Sequence, residues 1–191
     1  TTQFVVGAAG ETDQEILSTT SKLYQELQLK RVYFSAYRPV DRSRLEGIPP
    51  APPTREHRLY QADWLMRVYG FRLDEIKLAL GDKGNLPLAG DPKTVIALKQ
   101  PWLFPVDVNL ATYEQLVRVP GIGPVSARRI IEARREHSIF STLQLRKMGV
   151  NLVRATPFIR FQGFSGQPEQ LTLFNGTERE RAEKQPSFPG G

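Results

Sequence analysis

The chain has 191 residues, 40% of them hydrophobic, a formal net charge of +6 and no cysteine. That length and apolar content suit one or two packed domains. The missing cysteines exclude disulfides, thiolate zinc fingers and cysteine-held iron–sulfur clusters in this chain. The charge is unevenly placed: residues 101–163 hold nine Lys/Arg against four Asp/Glu. The basic character therefore concentrates there, as a phosphate-binding face requires.

No apolar run reaches the about 18 residues of a membrane-crossing helix. No signal peptide is visible, and the expected location is cytoplasmic. The chain enters a predicted strand directly after its first residues, which reads as the C-terminal piece of a longer protein. Gln3-Phe4-Val5-Val6-Gly7 is that strand, a short apolar run expected to be buried. Thr12-Asp13-Gln14-Glu15 is a capping box. It opens a helix with Ile16, Thr20, Leu23, Tyr24 and Leu27 on one face. Arg31 to Tyr37 is a second strand. Strand, helix and strand at this spacing predict a βαβ unit with parallel strands and a right-handed crossover. Two strands alone do not make a stable sheet, which again suggests a fragment.

Arg38 to Pro53 reads as loop, with Ile48 to Pro53 stiff and extended. Thr54 is expected to cap a helix running to Tyr69, burying Leu59, Ala62, Leu65, Met66 and Tyr69, with Gly70 as its stop. Phe71 to Ile76 fits either a strand or a short helix. Gly81 to Gly90 is loop. Asp91-Pro92 is an N-cap followed by proline at the first helical position, opening a helix to about Lys99. His57 and His137, the two histidines, read as surface residues. Asp63 reads as a paired structural carboxylate, and Tyr60, Trp64 and Tyr69 as core. No catalytic residue and no metal-ligand set is assigned.

Pro101 to Pro105 links into the basic region. Asn109 is the expected N-cap of its first helix, with Val108 and Tyr113 as a hydrophobic staple and Leu110, Tyr113, Leu116 and Val117 at helical spacing. Then come Val119-Pro120-Gly121-Ile122-Gly123-Pro124 and a second helix ending near His137. Gly121 and Gly123 permit positive φ without side-chain bulk. Ile122 would plug the space between the helices. The pattern Pro-Gly-Ile-Gly-Pro-x-x-Ala-x-x-Ile resembles a helix-hairpin-helix, a DNA-binding motif without sequence specificity. Free amides at the second helix N-terminus would seat a phosphate, and glycine would let it approach. The candidate DNA-binding residues are Gly121, Ile122, Gly123, Val125, Ser126, Arg128 and Arg129. Ser141-Thr142-Leu143-Gln144 is a further capping box, with Phe140 and Leu145 as its staple. Its helix runs into Met148-Gly149-Val150, read as a degenerate second hairpin that packs more than it binds. Arg146, Lys147 and Arg154 would lie within reach of phosphates. From Gly163 the composition turns polar and predicts disorder, except for the apolar patch Gln170 to Phe174. The expected domains are 1–70, a connection at 71–100, the hairpin domain at 101–163 and a tail at 164–191.

Several blocks together carry a wider resemblance. Val5 to Thr12, Tyr33 to Val40, Arg58 to Leu65 and Phe104 to Asn109, with the hairpin, resemble a radical SAM family of DNA modification or repair proteins, up to about Phe174. The resemblance implies an α/β plus all-α protein. Its first part would be the βαβ end of a radical SAM partial (β/α) barrel, with the active site at the C-terminal ends of the strands. Gly7, Gly10 and Glu11 would lie against the nucleoside part of S-adenosylmethionine, although their spacing differs by one residue from the family's Gly-x-Ile-x-Gly-x-x-Glu. Ser35 and Arg38 would contact the methionine or the substrate. The family's Cys-x-x-x-Cys-x-x-Cys belongs near the start of the barrel. The 4Fe-4S cluster and S-adenosylmethionine would therefore belong to a longer parent, and this chain alone would hold no complete cofactor site and be inactive. The implied partners are DNA, the missing N-terminal half of the barrel and a uracil-DNA-glycosylase-like protein, with no membrane. The alternatives are a non-enzymatic module similar to competence-type DNA receptors, which share Val-Asn-x-Ala and Pro-Gly-Ile-Gly, and a protein-interaction domain in which the hairpin docks a partner helix.

Overall fold

The computed structural model describes residues 1–41, 45 and 47–161. The expected tail and its Gln170 to Phe174 patch lie outside the described residues. The chain begins with β1 (Thr2–Val6), α1 (Asp13–Glu26) and β2 (Val32–Ala36). The two strands are parallel, with Thr2 opposite Val32 and Val6 opposite Ala36, as the βαβ reading requires. The capping box forms: the Thr12 hydroxyl accepts from the Glu15 amide, and the Glu15 carboxylate accepts from the Thr12 amide. Ile16, Leu17 and Thr20 are buried, whereas Leu27 lies past the helix end and is exposed.

The strands are only half-buried. Val6, Val32 and Phe34 face the core, but Val5 and Tyr33 are exposed on the other face. With two strands and helices packed on one side, the alternation of the pleat leaves one face open. A short apolar run does not reveal this, because it looks the same whether one face is covered or two.

α2 (Pro53–Tyr69) begins earlier than expected, with Pro53 at its first position and Pro52, not Thr54, as the cap. It ends at Gly70 in a left-handed conformation, φ 71°. α3 (Leu73–Lys77) settles the ambiguous segment as a helix. α4 (Pro92–Lys99) is capped by Asp91, whose carboxylate accepts from the Thr94 amide at 3.2 Å. Residues 71–100 are not a mere connection. Phe71, Ile76, Ala79, Leu80, Leu86 and Ile96 pack into the same core as Val6, Leu17, Phe34 and Leu59. Each such Leu, Ile or Phe contributes roughly 1.5–3 kcal/mol of burial, so the first unit extends to α4. The fully buried Asp13 ties this unit together, accepting from Arg55 Nε at 2.7 Å and from the Leu86 amide at 2.8 Å.

The second core is built from β3 (Val106–Asp107), α5 (Tyr113–Arg118), α6 (Pro124–Glu136), α7 (Thr142–Lys147), α8 (Leu152–Ala155) and β4 (Ile159–Arg160). β3 and β4 pair in parallel. Val108, Leu116, Val117, Ile122, Ile130, Ile139 and Leu145 fill its interior. α5 starts later than the sequence suggests. Thr112 is its N-cap, in a capping box with Gln115, so Leu110 falls outside the helix and is exposed. Asn109 has a different task. Its side-chain amide donates to the Ile139 carbonyl at 2.8 Å and accepts from the Ile139 amide at 2.8 Å. This reciprocal clamp holds the exit of α6 against the entry to α5. Ser141 caps α7 as expected, but Phe140 is exposed and Ile139 is buried in its place, so the expected staple does not form.

Three side chains join the two cores. Arg118 makes a two-pronged pair with Glu75, at 2.8 and 3.0 Å. Arg154 pairs with Asp91. Lys93 Nζ donates to the Ile122 carbonyl at 2.6 Å. Tyr69 packs against both cores. Among the described residues, no helix is long and apolar enough to cross a membrane.

Candidate nucleic-acid interface

The turn between α5 and α6 is closed by the Ile122 amide donating to the Val119 carbonyl at 3.1 Å. Gly121 takes φ +83°, which a side chain rarely adopts. Ile122 is 1% exposed and is the plug between the helices. Gly123 departs from expectation: it is the N-cap of α6 with φ −99°, an ordinary extended conformation. Pro124 occupies the first helical position.

Helix geometry then exposes donors. The amides of Val125 and Ser126 lie in the first turn, where the carbonyls four residues back, Gly121 and Ile122, precede the helix and are not aligned to accept. Those carbonyls already accept from the Asn151 amide at 2.9 Å and from Lys93 at 2.6 Å. The first α6 amide bonded to the turn is that of Ala127, donating to the Gly123 carbonyl at 2.8 Å. The amides of Val125 and Ser126, in the first turn after an N-cap without a side chain, are left at the positive end of a 13-residue helix, the arrangement that favours an anion. Arg128 and Arg129, one turn further in, are exposed.

A second tight turn follows α7, with Gly149 at φ +86°. The two turns lock into each other. A Cβ on Gly121 would run into the carbonyl oxygen of Asn151 and come within 3.0 Å of the Ala155 nitrogen. A Cβ on Gly149 would come within 3.3 Å of Ser126 Oγ and 3.5 Å of Arg129 Nη1. Each glycine lies against the start of the helix that follows the other turn. Gly121 therefore serves close packing of backbone on backbone. At Gly123 an added Cβ would meet the Tyr69 hydroxyl at 3.3 Å, the tip of a side chain rather than backbone.

The basic residues divide into two sets. Arg118 and Arg154 are paired across the cores. Arg134 Nη1 donates to the Val108 carbonyl at 2.9 Å, and Arg160 faces Asp107 at 3.9 Å. Arg154, which the sequence placed within reach of phosphates, is thus engaged with Asp91 and still exposed. Arg128, Arg129, Arg135, Arg146 and Lys147 are exposed. Asp91 stays below the usual carboxylate range although burial opposes this, because the Thr94 hydroxyl and amide and the Arg154 guanidinium favour its charged form.

The residues that the wider resemblance implied for a cofactor gather at the C-terminal edge of the β1–β2 sheet. Gly7, Gly10 and Glu11 form one turn after β1, Ser35 is half-buried in β2, and Arg38 is exposed just beyond it. The turn is closed on itself. Both Glu11 oxygens accept from amides of their own loop, Gly7 and Ala9. Burial works against the charge on Glu11, but those bonds keep its pKa low. An added Cβ on Gly7 would approach Ala51 Cβ to 2.9 Å, so the proline-rich strap covers this turn. With Glu11 engaged, Gly7 covered and no cysteine in the chain, these residues do not fit a complete cofactor site.

The remaining candidates have structural roles. Asp63 accepts from the Tyr24 hydroxyl at 2.5 Å and pairs with Arg67 at 2.8 Å. Burial and this carboxylate push the Tyr24 pKa up to about 12. Tyr60 donates to the Phe34 carbonyl at 3.0 Å and accepts from its amide at 3.1 Å. Trp64 is not core: it is 49% exposed. His57 and His137 are exposed. Sequence reasoning missed Lys93, which is 8% exposed. Its only local signal was a basic residue inside the first turn after Asp91-Pro92, where exposure is the usual outcome.

Comparison with known proteins agrees with the geometry of the turn. No curated protein and no solved structure matches the chain. A family model described as a helix-hairpin-helix motif matches residues 105–148, which take in α5, the glycine turn, α6 and α7. The chain carries a helix-hairpin-helix motif, and the motif supports a DNA-binding module.

Proposed function

We propose that this chain binds duplex DNA through its sugar-phosphate backbone, without reading base sequence. A phosphate seats on the amides of Val125 and Ser126, with Gly123 at the approach and Arg128 and Arg129 beside it. The observation that carries this is the pair of first-turn α6 amides, Val125 and Ser126, which follow an N-cap glycine with no side chain to cap them. Phosphate contacts position a protein on DNA but do not specify sequence. Affinity should therefore fall linearly with salt on logarithmic axes. The five exposed cations of the hairpin region without an ion pair among the described residues, Arg128, Arg129, Arg135, Arg146 and Lys147, set a slope of about −4.5, at roughly −0.9 for each phosphate neutralised. A fluorescence titration of the full chain against unrelated duplexes checks this. Binding that is insensitive to salt, or confined to one sequence, overturns it; the former would favour a protein partner.

The role of a longer parent rests on the sequence resemblance. We infer a radical SAM enzyme acting on DNA or a DNA-bound substrate, in which this chain supplies the barrel end and the DNA grip. S-adenosylmethionine and a 4Fe-4S cluster would be held by the N-terminal part of that barrel, with a uracil-DNA-glycosylase-like protein as a further partner. Two features support this reading: the parallel β1–α1–β2 unit and the open sheet face bearing Val5 and Tyr33. The test is the coding sequence upstream. An in-frame Cys-x-x-x-Cys-x-x-Cys is expected there, and a continuous reading frame without one overturns the inference.

A further inference from the structure

The glycine turn borders a cavity of about 630 Å³ between α2, α4 and the hairpins, lined among others by Trp64, Arg67, Tyr69, Lys93, Gly123 and Arg154. Its walls differ in chemistry. On one side is aromatic surface: the half-exposed indole of Trp64, with the Arg67 guanidinium 5.5 Å from its centre. On the other are cations and the phosphate-binding turn itself. Two carboxylates also line it, Asp63 and Asp91. Both are already neutralised, by Arg67 with Tyr24 and by Arg154 with Thr94. Lys93 has no ion-pair partner among the described residues. It rests on the Ile122 carbonyl, 4.7 Å from the centre of the Tyr69 ring. The cavity thus combines a stacking surface with a buried amine, and it opens beside the amides assigned to a DNA phosphate.

We propose that this cavity receives one unpaired nucleotide of the strand held on the hairpin, its phosphate toward Lys93 and Gly123 and its base against Trp64. The inference rests on the DNA-binding reading above and adds a ligand class to it. Cavities of roughly 300–1,000 Å³ accept one compact ligand. A base in a duplex is tied to its partner and neighbours and cannot enter without unpairing. Aromatic stacking with cationic support is how proteins hold unpaired bases irrespective of sequence. Burial, and then the Arg154 guanidinium, pull the Lys93 pKa down to about 7 against the opposing pull of Asp91. An arriving phosphate anion would restore the proton to that amine.

The experiment compares a blunt duplex with the same duplex carrying a short single-stranded overhang, using the full chain. The overhang should bind about tenfold more tightly, the range of one stacked base. Trp64→Ala should bring the overhang to the blunt value. The chain has two tryptophans, and Trp102 is 73% exposed. In a Trp102→Phe background the emission of Trp64 should therefore be quenched by the overhang and not by the blunt duplex. Equal affinity for the two DNAs, an overhang preference that survives Trp64→Ala, or unquenched emission at saturation overturns the proposal. Salt-dependent blunt binding without an overhang preference defeats this inference alone. No binding to either DNA defeats the hairpin reading as well.

Discussion

Gly121→Val should destabilise the hairpin unit by about 3–5 kcal/mol, through positive-φ strain and overpacking against backbone. Gly121 sits at φ +83°, and the space beside its Cα is filled by the Asn151 carbonyl and the Ala155 nitrogen. Neither is a flexible side chain that could swing away, so the second turn would have to leave the first. A loss of that size is a large share of the 5–15 kcal/mol typical of a domain. Gly123→Ala is the comparison. Its φ of −99° suits any residue, and its nearest neighbour is the tip of Tyr69, so its cost should stay below about 1 kcal/mol. Urea unfolding of the two variants measures the difference. Equal stabilities would show that the interlocked turns do not hold the module together. DNA binding lost in Gly121→Val reports a lost fold; binding lost in Gly123→Ala reports a lost contact.

The double variant Arg128→Gln/Arg129→Gln should bind duplex DNA about a hundredfold more weakly at about 0.1 M salt, with a salt slope shallower by about two. Each phosphate contact releases roughly 0.9 of a counterion, which at that salt concentration is close to a factor of ten. Both side chains are exposed, and the one structural bond is weak, from Arg129 Nη1 to the Met148 carbonyl at 3.4 Å. The fold should therefore survive, with stability changed by about 0.5 kcal/mol or less. Arg118→Gln, by contrast, would act on the fold, because Arg118 pairs with Glu75 between the cores. An affinity within twofold of the original, with the fold intact, would remove both arginines from the interface.

Several elements were legible wherever a few adjacent residues decide the outcome. Asp91-Pro92 marked the start of α4, which ends at Lys99 as expected. The boxes at Thr12 and Ser141 and the stop at Gly70 behaved as local chemistry requires. The start of α5 did not, because two caps competed. Asn109 looked like a cap, yet Thr112 with Gln115 makes the better box, and Asn109 is drawn to Ile139, 30 residues away. Phe71 to Ile76 was ambiguous for a related reason. Five helical residues carry too little periodicity to choose between structures, and burial against the first core decides.

The candidate site divides in the same way. The amino-acid order alone determined that a tight glycine turn joins two helices in a basic stretch, because φ freedom at Gly121 and the apolar plug Ile122 are properties of neighbouring residues. That the first amides of α6 lack a partner also follows locally, from a glycine N-cap without a side chain, but the packing of Asn151 and Lys93 on the carbonyls of Gly121 and Ile122, from 29 to 30 positions away, was decided only by folding. Which arginines are left without an ion pair among the described residues was decided there too. Arg118 and Arg154 resemble Arg128 as residue types, and only the arrival of Glu75 and Asp91 from the other core turns them into braces. Backbone geometry is a local energy and can be read from a few letters; charge pairing and burial depend on partners that chain connectivity does not name.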